Sequence, residues 1–132
     1  MSTPYDSSYT PPTPVLRLRL SAPGDEPPDA PLSAIVDTGS DVTLIPSTHL
    51  EQVEAIASGD AVLRGVLGEA REVHLYEVGL RIDTLLLPSI LVVGDDYGAE
   101  AIIGRNVLNK VILALDGQRR ETDVFEQRPK WR

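Results

Sequence analysis

Residues 34–41 read AIVDTGSD, an apolar half followed by a polar half. Short apolar runs flank the polar half, at residues 32–36 before it and 42–45 after it. Apolar runs around a polar turn predict a strand, a tight turn and a second strand. Asp37 then lies where the chain turns sharply, and Gly39 permits a backbone approach that a side chain would block. An Asp-Thr-Gly triplet alone is ordinary turn chemistry, so the rest of the sequence must decide its role.

Strand patterns dominate on both sides of this stretch. Residues 15–20 alternate apolar residues with arginine, which predicts a strand with one buried face. Residues 61–82 predict a long hairpin whose tip contains Gly65 and Gly68. Further short apolar runs follow as far as Phe125. The chain is therefore expected to be mostly β.

Helical patterns are few and short. Thr48 and Glu51 have the spacing of a capping box, and the apolar residues that follow predict a helix ending near Gly59. A second short helix-like stretch follows Gly104. We therefore expect one or two short helices in an otherwise all-β domain.

The composition is that of one globular domain. The chain has 132 residues, of which 42% are hydrophobic and 24% charged, so it should bury a single core. Eight of the 11 prolines fall in residues 1–31. The first 14 residues hold four of them, have no apolar pattern and are predicted to be a flexible arm. The domain is assigned to residues 15–127, and residues 128–132 are assigned as a C-terminal tail.

Charge and hydropathy argue against several classes of partner. The formal net charge is −8, which disfavours binding to nucleic acid or to anionic lipid. No apolar run approaches the roughly 20 residues of a membrane span, and the N-terminus lacks the basic start of a signal peptide. The expectation is a cytoplasmic protein without membrane contact.

The sequence contains few residues of the types that bind metals or cofactors. The chain has no cysteine, and its two histidines, His49 and His74, lie on segments of different character. The adjacent Asp95 and Asp96 stand in a glycine-bounded turn and cannot by themselves form a calcium cage. We expect neither metal nor cofactor, so carboxylates are the remaining candidates for chemistry.

A second block, IIGRNVL at residues 102–108, supplies the context that the first one lacks. Together the two blocks resemble those of the retropepsin-like aspartic proteases, over roughly residues 15–115. Residues 64–69, between the blocks, are similar to the tip of that family's flap hairpin. The resemblance implies an all-β, closed-barrel acid protease fold and an aspartic endopeptidase that cleaves extended polypeptides between hydrophobic residues.

The resemblance also implies roles for individual residues. Asp37 would be the catalytic carboxylate, Thr38 would hydrogen-bond to the partner chain, and Gly39 would contact the substrate backbone. Asp41 and Arg105 would form an ion pair beneath the site. The residues expected to support the active site are Thr38, Gly39, Ser40, Asp41, Gly104 and Arg105. Those expected to bind substrate or form the flap are Gly65, Val66, Leu67, Gly68, Val42 and Ile102.

The chemistry of an aspartate pair requires a second copy of Asp37. Two carboxylates a few ångströms apart cannot both ionise cheaply, so they share a proton, and one activates water while the other polarises the scissile carbonyl. The sequence contains one Asp-Thr-Gly, since Asp83 and Thr84 are followed by leucine. We therefore expect a homodimer with the active site on its twofold axis.

Three features depart from the retroviral pattern. Ser40 replaces the usual alanine, and a hydroxyl donated to Asp37 would favour the charged carboxylate and shift the activity optimum toward acid. The hairpin tip has only Gly65 and Gly68, so it should be less pliable than a tip with four glycines. Residues 111–132 continue beyond the point where retroviral chains end, so the dimer contacts are expected to differ.

Two other hypotheses stay open at this point. A non-catalytic dimeric peptide-binding module could use the same fold, because a fold does not guarantee a function. Self-processing is the other, in which residues 1–14 lie across the cleft until they are removed. Replacing Asp37 with asparagine should separate cleavage from binding.

Overall fold

The structure, a computed structural model, describes residues 2–27 and 30–130. Strands predominate, and two short helices interrupt them. The elements are β1 (Ser2–Pro4), β2 (Val15–Ser21), β3 (Leu32–Val36), β4 (Leu44–Pro46), α1 (Ser47–Gln52), β5 (Ile56–Arg64), β6 (Ala70–Ile82), β7 (Leu85–Asp95), β8 (Ala101–Ile103), α2 (Arg105–Leu108), β9 (Ile112–Asp116) and β10 (Glu121–Phe125).

A closed barrel forms the body of the molecule. Its strands follow the order β2-β3-β8-β4-β7-β6, and β2 pairs with β6 to close the ring. Strand β5 lies outside the ring and, among the described strands, pairs only with β6, so the β5–β6 hairpin extends from the barrel. The prediction of an all-β closed barrel with short helices is confirmed.

The barrel interior holds the core that the alternating patterns predict. Leu16 and Leu18 of β2 are fully buried, as are Leu80 and Ile82 of β6. Each such side chain contributes about 1.5–3 kcal/mol when it leaves water. Arg17 lies on the opposite face of β2 and is exposed, as the period of two predicts.

The two strands that flank the Asp37 turn are not hydrogen-bonded to each other. Strand β8 lies between them, parallel to β3 and antiparallel to β4. Ile102 therefore pairs with Ile35 on one side and Leu44 on the other. The prediction of strand, turn and strand is correct for the elements, but the partner strand is contributed by the second sequence block.

Helix α1 differs from its prediction at both ends. Its N-cap residue is Pro46, and no side-chain hydrogen bond caps it, so the predicted Thr48–Glu51 capping box does not form. The helix ends at Gln52 instead of near Gly59, and Glu54 adopts a left-handed backbone with φ of 52°. The residues that follow enter β5, because pairing with β6 satisfies their backbone groups.

The sequence predicts a flexible arm at residues 1–14, and the structure pairs the described part of this segment, residues 2–14, with the rest of the chain. Strand β1 pairs antiparallel with β10, which also pairs with β9 in a three-stranded sheet. Tyr9 donates its hydroxyl to Glu100 at 2.8 Å. Composition could not reveal this, because the segment is held by backbone pairing with residues over 100 positions away.

Two predictions concern the ends of the chain and its relation to a membrane. Residues 131 and 132 of the tail predicted at 128–132 lie outside the described residues, as does residue 1 of the predicted arm. No helix in the described part of the chain has the length and apolar character needed to cross a membrane.

Candidate active site

Asp37 begins the loop that follows β3. Its backbone N–H donates to the Ile103 carbonyl at 3.0 Å, which continues the β3–β8 ladder by one residue. Its side-chain Oδ1 accepts the Gly39 N–H at 2.9 Å. The residue is half-buried, so its carboxylate is held in a fixed direction and is still reachable from solvent.

Gly39 lies against this carboxylate. A Cβ atom built at position 39 would stand 3.1 Å from Asp37 Oδ1, closer than an ordinary contact. The absence of a side chain at Gly39 thus leaves room for its N–H to lie close to the Asp37 carboxylate. The expected contact of Gly39 with the substrate backbone stays a prediction.

Arg105, the first residue of α2, binds the same loop twice. Its guanidinium Nη1 donates to the Thr38 carbonyl at 2.8 Å, and its backbone N–H donates to the Ser40 carbonyl at 2.8 Å. The expected ion pair with Asp41 is absent among the described residues, and Asp41 is exposed. The guanidinium is instead directed at a backbone carbonyl, so Arg105 supports the shape of the loop.

Ser40 also differs from its expected role. Its hydroxyl donates to the Val42 carbonyl at 2.7 Å, within the loop, and not to the Asp37 carboxylate. A hydroxyl has one proton to donate, and here the carbonyl receives it. The predicted acid shift through a Ser40–Asp37 hydrogen bond therefore has no basis in this geometry.

Gly104 is enclosed by the backbone of the loop. A Cβ atom at this position would lie 2.0 Å from the Val42 carbonyl oxygen and 2.9 Å from the Ser40 carbonyl oxygen. Both obstacles are backbone atoms, which cannot turn aside as a flexible side chain can. Only glycine fits at this position, because the second sequence block lies directly against the backbone of the loop.

Thr43 and Asn106 complete the support of the site, and neither was expected to have a role. The fully buried Thr43 donates its hydroxyl to Asn106 Oδ1 at 2.7 Å and accepts the Gly104 N–H at 3.1 Å. Asn106 Nδ2 then donates to the Leu91 carbonyl at 2.8 Å. A threonine inside the apolar run 42–45 was the signal available in the sequence, because a buried polar group needs a partner.

The predicted substrate-binding residues fall into two separate groups. Val42 and Ile102 are half-buried beside the Asp37 loop. Val66 and Leu67 are at the hairpin tip and are 101% and 91% exposed. The tip turns through Gly65, whose carbonyl accepts the Gly68 N–H at 3.1 Å, and Gly68 has a φ of 84°. The hairpin is present where it was predicted, but in the single chain its tip does not pack on the Asp37 loop.

One cavity lies beside the hairpin and is not lined by Asp37. It has a volume of about 620 Å³ and lies between strands β5 and β6 and the turn at Asp96 and Tyr97. One wall holds His74, whose Nδ1 is 2.6 Å from Asp60 Oδ1. The hydrogen bond to Asp60 raises the pKa of His74 above its usual value of 6.5.

Among the described residues, no three histidine, cysteine, aspartate or glutamate side chains cluster in a way that could hold a metal ion. The chemistry available at the loop is that of one positioned carboxylate. This carboxylate accepts the Gly39 N–H, and the Arg105 guanidinium donates to the Thr38 carbonyl of the same loop.

Two solved structures have folds similar to that of this chain. One is the EIAV protease in complex with the inhibitor HBY-793, with 19% sequence identity and a TM-score of 0.60, covering 74% of this chain and 86% of that one. The other is the retroviral protease-like domain of Ddi1 from Leishmania major, with 14% identity and a TM-score of 0.51, covering 86% of this chain and 90% of that domain.

At the level of sequence, no curated protein gives a significant match. The family model for the retroviral aspartyl protease does match, over residues 10–116, a range that contains both sequence blocks and the hairpin between them. Because this match covers most of the chain and the barrel agrees with it, the protein belongs to the retroviral aspartyl protease family.

Proposed function

We propose that the chain is an aspartic endopeptidase that hydrolyses extended polypeptides as a homodimer. The observation that carries the proposal is the Asp37 loop. Its carboxylate is oriented by the Gly39 N–H at 2.9 Å, and the loop behind it is held by Arg105 at 2.8 Å. A partly exposed carboxylate on a rigid support is the arrangement that acid–base catalysis at a peptide bond needs.

The proposed reaction needs two copies of this carboxylate. In the pair, one ionised carboxylate takes a proton from the attacking water, and the protonated one donates to the carbonyl oxygen of the substrate. Mutual repulsion keeps the pair sharing one proton, a well-known property of aspartic proteases. One chain supplies Asp37 alone, so we assign the second carboxylate to Asp37 of a second copy.

The edge of the three-stranded sheet supports a homodimer. Strand β9 pairs with β10 on one side and, among the described strands, with none on the other. Residues 111–115 form an apolar run in which no residue is fully buried, and Leu115 is 46% exposed. An apolar edge strand readily pairs with another chain. We propose that β9 pairs with its copy, so that each chain keeps its own β1 and β10.

The hairpin is proposed to act as a flap over the substrate. Val66 and Leu67 are apolar and almost fully exposed at its tip, so contact with a substrate or a second chain would remove them from water. Together with Val42 and Ile102 they favour apolar residues on either side of the cleaved bond. The substrate backbone would be bound as an added strand.

Digestion of a diverse peptide mixture tests the proposal, with the products read by mass spectrometry across acid to neutral pH. The unmodified protein should cut between apolar residues, and Asp37→Asn should not. Asp83→Asn is the matched control, because it makes the same chemical change at an aspartate outside the loop. Equal cleavage by the unmodified protein and Asp37→Asn would exclude this mechanism.

The same variant separates the protease from a peptide-binding module. The amide oxygen that Asp37→Asn introduces can still accept the Gly39 N–H, so the loop should keep its shape. Retained peptide binding by Asp37→Asn, together with no cleavage by the unmodified dimer at any pH, would favour the binding module.

A further inference from the structure

Three arginines surround a second cavity on the outer face of the barrel. This cavity has a volume of about 310 Å³ and is lined by Arg17, Arg19, Pro31, Arg81 and Asp83. None of these residues belongs to the candidate active site. The cavity is within the size range of small-molecule sites, which begins near 300 Å³. The described residues that line this cavity carry a net positive formal charge, whereas the whole chain has a formal net charge of −8.

Two of the arginines are direct cross-strand neighbours. Arg19 of β2 pairs with Arg81 of β6 in the antiparallel register that closes the barrel. Both residues are half-buried. Like charges directly opposite each other destabilise a sheet, and partial burial weakens the screening by water. An anion bound between the two guanidinium groups would attract both of them and so offset their mutual repulsion.

The arginines have few hydrogen-bond partners among the described residues. Arg19 Nε is buried and has no hydrogen-bond partner within the described structure. Among the described residues, the ion-pair partner of Arg81 is Glu26, at 3.7 Å, and the Glu26 side chain is 91% exposed. The described residues of the cavity wall include one acidic residue, Asp83, against three guanidinium groups. The site therefore has excess positive charge and an unpaired buried donor.

We propose that this cavity binds an oxyanion, as a phosphate or a carboxylate group. Guanidinium groups present parallel N–H donors whose geometry matches the oxygens of both groups. Arg19 and Arg81 would hold the anion from two strands through their guanidinium groups. This site is independent of the proposed peptidase activity and does not rest on it.

Calorimetric titration with inorganic phosphate and, separately, with succinate tests the proposal at matched ionic strength. At least one of the two should bind the unmodified protein, and Arg19→Gln should weaken that binding about tenfold or more. Arg119→Gln loses the same charge at an exposed site outside the cavity and should bind as the unmodified protein does. Tighter binding of phosphate identifies a phosphate group as the ligand, and tighter binding of succinate identifies a carboxylate.

The proposal is overturned if neither anion binds, or if both variants lose affinity equally, which would indicate only the effect of net charge. A measurement without substitution guards against a misfolded variant. In the unmodified protein, the NMR signals of the Arg19 and Arg81 Nε–H groups should move as the anion is added. Binding that leaves both signals in place would also refute the site.

Discussion

The Thr43 hydroxyl donates to the Asn106 side-chain carbonyl at 2.7 Å, across 63 positions of sequence. Thr43 lies between the first sequence block and β4, and Asn106 lies in α2, so this bond joins the segment after the first block to the second block. The same hydroxyl accepts the Gly104 N–H. The shape of the candidate site thus depends on a buried polar network as well as on the barrel.

Thr43→Val should destabilise the protein by about 1–3 kcal/mol, because it keeps the volume but removes the partner of two polar groups. The Gly104 N–H would lose its acceptor and the Asn106 carbonyl its donor. Urea denaturation measures the loss in the free energy of unfolding. Thr48→Val, at an exposed helix position, is the control. An equal effect of both variants would mean that the network contributes nothing specific.

Gly104→Ala should cost at least about 1–3 kcal/mol, because the new methyl group meets the Val42 carbonyl. Gly117→Ala makes the same change where no atom lies within 4 Å of the new Cβ. Its effect should be small by comparison. Thermal denaturation of both variants gives the comparison, and a stable Gly104→Ala protein would show that the loop can move away.

Ser40→Ala should leave the pH optimum of cleavage unchanged, because the hydroxyl donates to Val42 and not to Asp37. The variant should lose about 0.5–1.5 kcal/mol of stability with the loop hydrogen bond. Peptide cleavage measured against pH, alongside urea denaturation, checks both statements. A displaced pH profile would mean that the hydroxyl reaches Asp37 in the active dimer.

Leu115→Lys should shift the protein toward monomer and reduce cleavage in parallel. A lysine on the exposed edge of β9 opposes pairing with a second copy. Leu86→Lys is the matched control, since Leu86 is 45% exposed and Leu115 is 46% exposed. Sedimentation velocity at several concentrations measures the dimer. If Leu115→Lys remains as dimeric as the control, β9 is not the interface.

Asp60→Asn should lower the pKa of His74 toward 6.5, because the Asp60 hydrogen bond is the main cause of its elevation. Asp96 and Glu72 also face His74 and raise its pKa, so a smaller elevation should persist. A raised folded-state pKa stabilises the protein below about pH 6.5 and loses this effect as pH rises through the folded value.

NMR titration of the histidine ring signals, with and without added salt, measures this shift. Both side chains of the pair are mostly exposed, at 65% and 77%, so salt should reduce the elevation. Identical titration curves for His74 in the unmodified protein and in Asp60→Asn would refute the assignment.

Periodicity made the barrel strands predictable, because burial of one face leaves an alternating pattern in β2 and in the second half of β6. The hairpin could be predicted from its glycine-containing tip. The end of α1 could not, because the residues after Gln52 have a helical apolar pattern and yet pair with β6. Tertiary pairing overrode the local pattern there.

The residue types of the candidate site and their order along the chain could be predicted without a structure: Asp37 in its turn, the two blocks and the hairpin between them. The hydrogen-bond partners within the site could not. Ser40 donates to Val42, Arg105 donates to Thr38, and β1 pairs with β10. Hydrogen bonds depend on distances of a few tenths of an ångström between residues far apart in sequence, and such distances exist only once the barrel has closed.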